Sequence, residues 1–180
     1  MKFSKSLVAA GFAVFAASAQ AAEPMQPSGV VEAMMPNSDK SFFENAASAG
    51  MFEIQASKLA LTKSSNPQIK TFAEKMIADH TEAAAKLQTL AAARSVMLPD
   101  KLSKHHEMML DRLNKDSAGA DFDAAYKRQM IVSHKEAVSL FDQESKKGQD
   151  AELKAFAADT LPKLQGHGAM AHDLLPKKSG

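Results

Sequence analysis

The sequence predicts an all-α protein, a ferritin-like four-helix bundle with a long crossover that contains a short helix. Three observations predict it. From Asn66 to Arg94, apolar residues recur at three- and four-residue steps through Ile69, Phe72, Ala73, Met76, His80, Ala84, Leu87 and Ala91, with Lys70, Glu74, Lys75, Glu82 and Lys86 mostly elsewhere. Such a stripe extends about 40 Å at 1.5 Å per residue and needs partners of similar length, and three more amphipathic stretches supply them. Composition agrees: no Trp, a single Tyr, and abundant Ala, Leu, Lys and Glu favour helices over sheets.

Residues 1–21 have the build of a secretory signal peptide. Lys2 and Lys5 form a basic start, Leu7 to Ala17 a short apolar run, and Ala19-Gln20-Ala21 a small-x-small cleavage site. The run is shorter than the roughly 20 residues of a membrane-spanning helix, and no later stretch reaches that length. With no cysteine for a disulfide or a lipid anchor, the expectation is export and cleavage after Ala21, into the periplasm of a two-membrane bacterium. Cleavage removes Lys2 and Lys5 and no acidic residue, so the mature chain is close to neutral and lacks the basic excess that binding to phosphates requires. Nucleic acid is excluded as a partner on that ground, whereas a protein partner in the cell envelope remains open.

Residues 22–38, with Pro24, Pro27, Gly29 and Pro36, read as a flexible lead to a bundle domain over 39–175; 176–180 read as a flexible tail. Ser38 or Asp39 can cap a first helix over about 39–63, whose inward phase runs through Phe42, Ala46, Ala49, Glu53, Ser57 and Ala60. Ser64 to Pro67 form a tight connection, with Asn66 as cap and Pro67 at the first helical position, so the first two helices make an antiparallel hairpin. Leu98-Pro99-Asp100 starts a shorter piece, about 99–114, with Leu102, His106, Met109, Leu110 and Leu113 along its apolar edge, ended by Ser117 to Ala120. Asp121 can cap a third long helix, about 121–147, with Phe122, Tyr126, Met130, Ser133, Ala137 and Phe141 inward and His134 near the edge of that face. Lys146-Lys147-Gly148 closes it. Asp150 caps the fourth, about 150–175, through Leu153, Phe156, Ala157, Leu164, His167, Ala171 and Leu174. Pro162 inside that helix, with Gly166 and Gly168 nearby, predicts a kink or local break. Two hairpins joined by one crossover give ferritin-like connectivity, and a simple up-down bundle is the competing topology.

The series from Phe42 to Leu61, with Ala46 to Glu53 and Lys58-Leu59-Ala60-Leu61, followed by Asn66, Phe72-Ala73, Met76 and Asp79-His80, resembles a bacterial exported family catalogued as a domain of unknown function, number 4142. The likeness continues through Phe122-Asp123, Ala125-Tyr126, His134, Leu140-Phe141, Phe156-Ala157, Leu161-Pro162 and His167 and spans most of 39–175. The resemblance implies a ferritin-like bundle of the periplasm or outer membrane and carries no established activity.

Two clusters are candidate metal sites. Glu53, His80, His134 and His167 come one from each long helix, three of them well within the apolar phase, and carboxylate with imidazole suits iron, manganese or zinc. A standard di-iron site is excluded because Glu-x-x-His is absent: Ile77, Ile131 and Leu164 stand three residues before the histidines. The alternative role for this cluster is a buried hydrogen-bond network that fixes helix register. The second cluster, His105, His106 and Met109 on the short helix, mixes imidazole and thioether and suits copper, with Met34-Met35 and Met170-Ala171-His172 as further donors of that kind. No nucleophile elbow, cysteine nucleophile or phosphate loop is present, which leans against an enzyme. An envelope structural, stress-related or interaction protein needs only the bundle.

Overall fold

The computed structural model describes residues 35–174. The expected signal peptide, most of the flexible lead with Met34, and the tail at 176–180 lie outside them. Five helices follow one another: α1 Asn37–Lys63, α2 Pro67–Ala93, α3 Lys104–Lys115, α4 Ala120–Lys147 and α5 Ala151–Asp173. Among the described residues no helix is long and apolar enough to cross a membrane.

Hydrogen bonds at the two ends establish the ferritin-like connectivity. At the upper end the Gly119 N–H, just before α4, reaches the carbonyl of Lys63, the last residue of α1. At the lower end Asp39, near the start of α1, accepts from the N–H groups of Gln149 and Asp150 between α4 and α5. Arg94, just past α2, clamps Asp150 with two parallel bonds of 2.7 and 2.5 Å. Helices α2 and α4 therefore both run downward, and the segment 94–119 carries the chain back up, with α3 packed on α1 and α4. The simple up-down alternative is excluded.

The caps explain where helices begin. Asn66 accepts from Gln68 N, and Asp150 from Glu152 N and Leu153 N, as expected. Three starts differ. Asp39 does not cap α1, because its carboxylate is buried against the 149–150 turn. The short helix begins at Lys104 instead of 99, because Ser103 supplies the cap, accepting from His106 N. Helix α4 begins at Ala120 rather than being capped by Asp121; Gly119 precedes it at φ 97°, a conformation open to glycine. The main chain of α5 stays helical through Pro162 from Ala151 to Asp173, so no local break occurs there.

The apolar core is in two parts. The upper part gathers Phe52, Ile69, Phe72, Met76, Phe122, Tyr126 and Met130; the lower gathers Phe42, Phe43, Leu87, Phe141, Leu153, Phe156 and Leu164. Phe42 and Phe141 meet edge to face, their centroids 4.9 Å apart. Ala84, expected on the inward stripe of α2, is exposed. Between the two parts lies a layer of polar side chains.

Candidate metal centre

That polar layer holds Glu53 from α1, His80 from α2, His134 and Ser133 from α4 and His167 from α5, each 5% exposed or less. Helix geometry brings them level: Glu53 and His80 stand at similar distances from the Ser64 turn, as do His134 and His167, more loosely, from the Gly148 turn. The histidine rings pack around one point, with centroids 5.3 to 5.7 Å apart. His134, expected at the edge, is 1% exposed and fully part of the layer.

One nitrogen of each ring is committed. His80 Nδ1 lies 3.1 Å from Glu53 Oε2 in an ion-pair contact, and His167 Nε2–H donates to Asp79 Oδ2 at 2.7 Å. His134 Nδ1–H donates to the Met130 carbonyl at 2.8 Å, with Glu53 Oε1 a further 3.5 Å contact. For His134 and His167 these acceptors settle the tautomers, since a carboxylate or carbonyl can only receive the proton. The remaining nitrogens, Nε2 of His80, Nε2 of His134 and Nδ1 of His167, are buried and have no partner. Each histidine offers one ligand nitrogen within 4.8 Å of the others.

Electrostatics favour the neutral form of His80 and His167. Burial lowers His80, more than the Glu53 charge raises it, and lowers His167 to about 4 against the lift from Asp79. Burial alone would raise Glu53, but His80, His134 and the Ser133 hydroxyl at 2.8 Å outweigh it and hold the carboxyl below its ordinary value. Asp79 resists the same burial penalty and sits at about 2, held there by Lys75, His167 and Lys163. At neutral pH His80 and His167 are thus neutral imidazoles beside one enclosed carboxylate. Neutral imidazole fixed by an outer carboxylate or carbonyl is the arrangement that metal-binding histidines adopt.

Sequence reasoning grouped Glu53 with the ligands. In the structure it lies 3.1 Å from His80 Nδ1, and the unpartnered nitrogen of that ring is Nε2. Asp79 was missed, because adjacent residues on a helix point about 100° apart and it faces away from His80. Its partner is on α5, and no spacing within α2 could have shown that. Ser133 was legible as inward, but not as the donor to Glu53.

The short helix is arranged differently. His105 is exposed and pairs with Glu136 at 3.1 Å. His106 is buried, stacked on Phe52, with Nδ1 taken by Ser48 and Ser103 at 2.7 and 3.0 Å. Met109 belongs to the upper core. His105, His106 and Glu136 offer atoms within 4.8 Å of one another. Arg112, Arg128 and Asp116 line the surface groove beside His105 and Met109, so charge of both signs borders this cluster. Of the further methionines, Met35 packs on the lower core and Met170 on the upper; His172 is exposed.

Fold and site define a class: an antiparallel helical bundle of two hairpins with a buried three-histidine layer at mid-height. The chain belongs to the DUF4142 family, a domain of unknown function, whose model matches residues 24–174. No curated protein matches it. Among solved structures it is similar to CopM in the Cu(II)-bound form, at 23% identity over 75% of this chain and 93% of that one, TM-score 0.64. It is also similar to a DUF305 fragment from Deinococcus radiodurans, at 13% identity over 78% and 97%, TM-score 0.68. A third likeness is to the conserved hypothetical protein rv2844 from Mycobacterium tuberculosis, at 12% identity over 79% and 96%, TM-score 0.60. At these identities the likeness establishes the shared fold.

Proposed function

We propose that this chain is an exported, non-enzymatic metal-binding protein of the periplasm that holds one copper ion through His80, His134 and His167. The observation that carries the reading is that the three rings each bring a ligand nitrogen within 4.8 Å of the others and each keeps one buried nitrogen without a partner, while hydrogen bonds orient His134 and His167. Leaving buried polar atoms unpaired is costly, and an ion would satisfy all three together. An ion would also compensate the enclosed Glu53 carboxylate; Asp79 already has Lys75 at 2.8 Å and Lys163 at 3.6 Å. Glu53 and Asp79 act as orienting acceptors in this reading, not as ligands.

A donor set of imidazoles without carboxylate oxygen favours copper or zinc over manganese, and copper leads the affinity order of the divalent ions. CopM, whose solved form carries Cu(II), has the same fold. Export rests on the basic start, apolar run and small-x-small site within residues 1–21; mass spectrometry of the periplasmic protein should find Ala22 as its first residue.

The test is elemental analysis of untagged mature protein after loading with copper and with zinc and removal of excess. About one copper per chain is expected, displacing zinc in competition and falling away in His134→Gln and His167→Gln. Protein that retains no metal, or that retains it equally in the double variant, would refute the assignment and leave the layer as a register-fixing network.

A further inference from the structure

The start of α3 carries a second group of metal-ligating side chains, separate from the inner layer. His105, His106 and Glu136 each offer a ligand atom within 4.8 Å of the other two. His105 and His106 follow Lys104, the first residue of α3, and Glu136 stands on α4, which packs against α3. Adjacent helical residues point about 100° apart, yet these two rings approach to 5.2 Å between centroids. His105 Nε2 lies 3.1 Å from Glu136 Oε2.

His106 is the fixed member. Its ring stacks on Phe52, and its Nδ1 is held by the hydroxyls of Ser48 and Ser103 at 2.7 and 3.0 Å. The Ser48 hydroxyl is tied down in turn by the N–H of Ser103 at 2.8 Å. A hydroxyl can accept from Nδ1–H, so this frame holds the tautomer in which Nε2 presents its lone pair. That nitrogen has no hydrogen-bond partner and, unlike the free nitrogens of the inner layer, is not closed off from solvent. His105 and Glu136 are about half exposed and hydrogen-bond only to each other, so both side chains can turn toward it.

Ligand atoms about 2 Å from a zinc ion stand roughly 3.3 Å apart in a tetrahedron. The pair of His105 and Glu136 has that spacing already, and the third atom closes by about 1.5 Å at most. Alone, an exposed pair of this kind contributes little to stability. With His106 it becomes two imidazoles and a carboxylate, the donor set of open zinc centres. Arg112 and Arg128 of the neighbouring groove are rooted about 10 Å past His105 and about 12 Å before Glu136 along their helices, at or beyond the screening length of about 8–10 Å. We propose that His105, His106 and Glu136 form a second, solvent-open site for a borderline divalent ion such as zinc, with water in the remaining position. Two half-exposed ligands make it an exchanging site, which releases its ion when excess metal is removed and so adds nothing to the ion retained by the inner layer.

The experiment is an equilibrium titration of untagged mature protein with zinc, free zinc being present throughout, followed by the imidazole nitrogen resonances. A saturable shift of the His105 and His106 rings is expected. His105→Gln and Glu136→Gln should each weaken it at least about 10-fold, since losing a ligand costs no less than losing an outer partner of one. Both side chains are about half exposed, so these variants keep the fold. The same shift should occur in the His134→Gln, His167→Gln double variant; if that protein does not fold, wild type filled with copper(I) and cleared of excess replaces it. An unmoved His106 ring, equal zinc affinity in wild type and both surface variants, or shifts confined to His80, His134 and His167 would each overturn the site. Shifts confined to His105 and His106 uphold it even where the inner layer takes no metal.

Discussion

Truncating His80 to alanine in the metal-free protein should cost about 3.5–5 kcal/mol, built from two separable parts. Its Nδ1 lies 3.1 Å from Glu53 Oε2, a polar contact to a buried charge that contributes about 1.5–3 kcal/mol. Removal of the ring, 5% exposed, adds about 2 kcal/mol, the low end for buried large-to-small changes, because the ring already borders a void and loses fewer contacts. Glu53→Leu separates the parts. Without the carboxylate, His80→Ala should cost only the packing part, about 2 kcal/mol, which leaves a coupling of about 1.5–3 kcal/mol between the two sites. Urea unfolding followed by helical circular dichroism on the wild type, both single variants and the double variant measures all four corners. The reasoning fails if His80→Ala costs less than about 1 kcal/mol, or if the two effects add within about 0.5 kcal/mol.

Three other outcomes follow from features of the frame. Gly148→Ala should destabilise by about 1–3 kcal/mol in the same assay, since the new Cβ would press on the Glu144 side chain and lie 2.7 Å from its backbone oxygen; equal stability would refute the contact. Glu144 is raised to about 7 by burial and by the nearby Asp39 and Asp150. Between its ordinary value near 4.5 and about 7 the folded state holds a proton that the unfolded chain has lost, so stability should fall as pH rises through that window. Glu144→Gln should be more stable than wild type at pH 8 and similar to it at pH 4 in thermal melts, and a pH-independent difference would count against this. Lys63 donates to the carbonyls of Leu113, Asn114 and Asp116 at the end of α3; Lys63→Met should speed amide exchange in α3 while leaving α5 unchanged, and unaltered exchange in α3 would show that the bonds carry no stability.

Much of the architecture was written in residue spacing, because each long helix has one buried face and spacing reports faces. The stripes of α1, α4 and α5 are buried as read, and so is that of α2 except at Ala84. Asn66 and Asp150 cap as read because their partners are two or three residues ahead in the same chain. Asp39 and Ser103 were misjudged for the converse reason: Asp39 serves a turn 110 positions away, and Ser103 competes with Pro99 as a helix start. The meeting of Glu53, His80, His134 and His167 was legible as a height along the bundle. Their roles were not, because which nitrogen of each ring is free depends on the rotation of neighbouring helices, and a single helical phase holds no record of that.

Each hairpin closes on its own short turn, and the histidine layer is split between them, with His80 on the first and His134 and His167 on the second. The chain has no cysteine, so no covalent staple can join the two. An ion shared by the three rings would be that staple, tying residues nearly as far apart as Asp79 and His167, 88 positions along the chain. By the loop-closure relation used for disulfides, a cross-link of that span is worth about 4–5 kcal/mol. Unlike a disulfide it would yield to chelators and acid instead of reductants, so the bundle's resistance to unfolding would follow the metal supply of its surroundings, not their redox state.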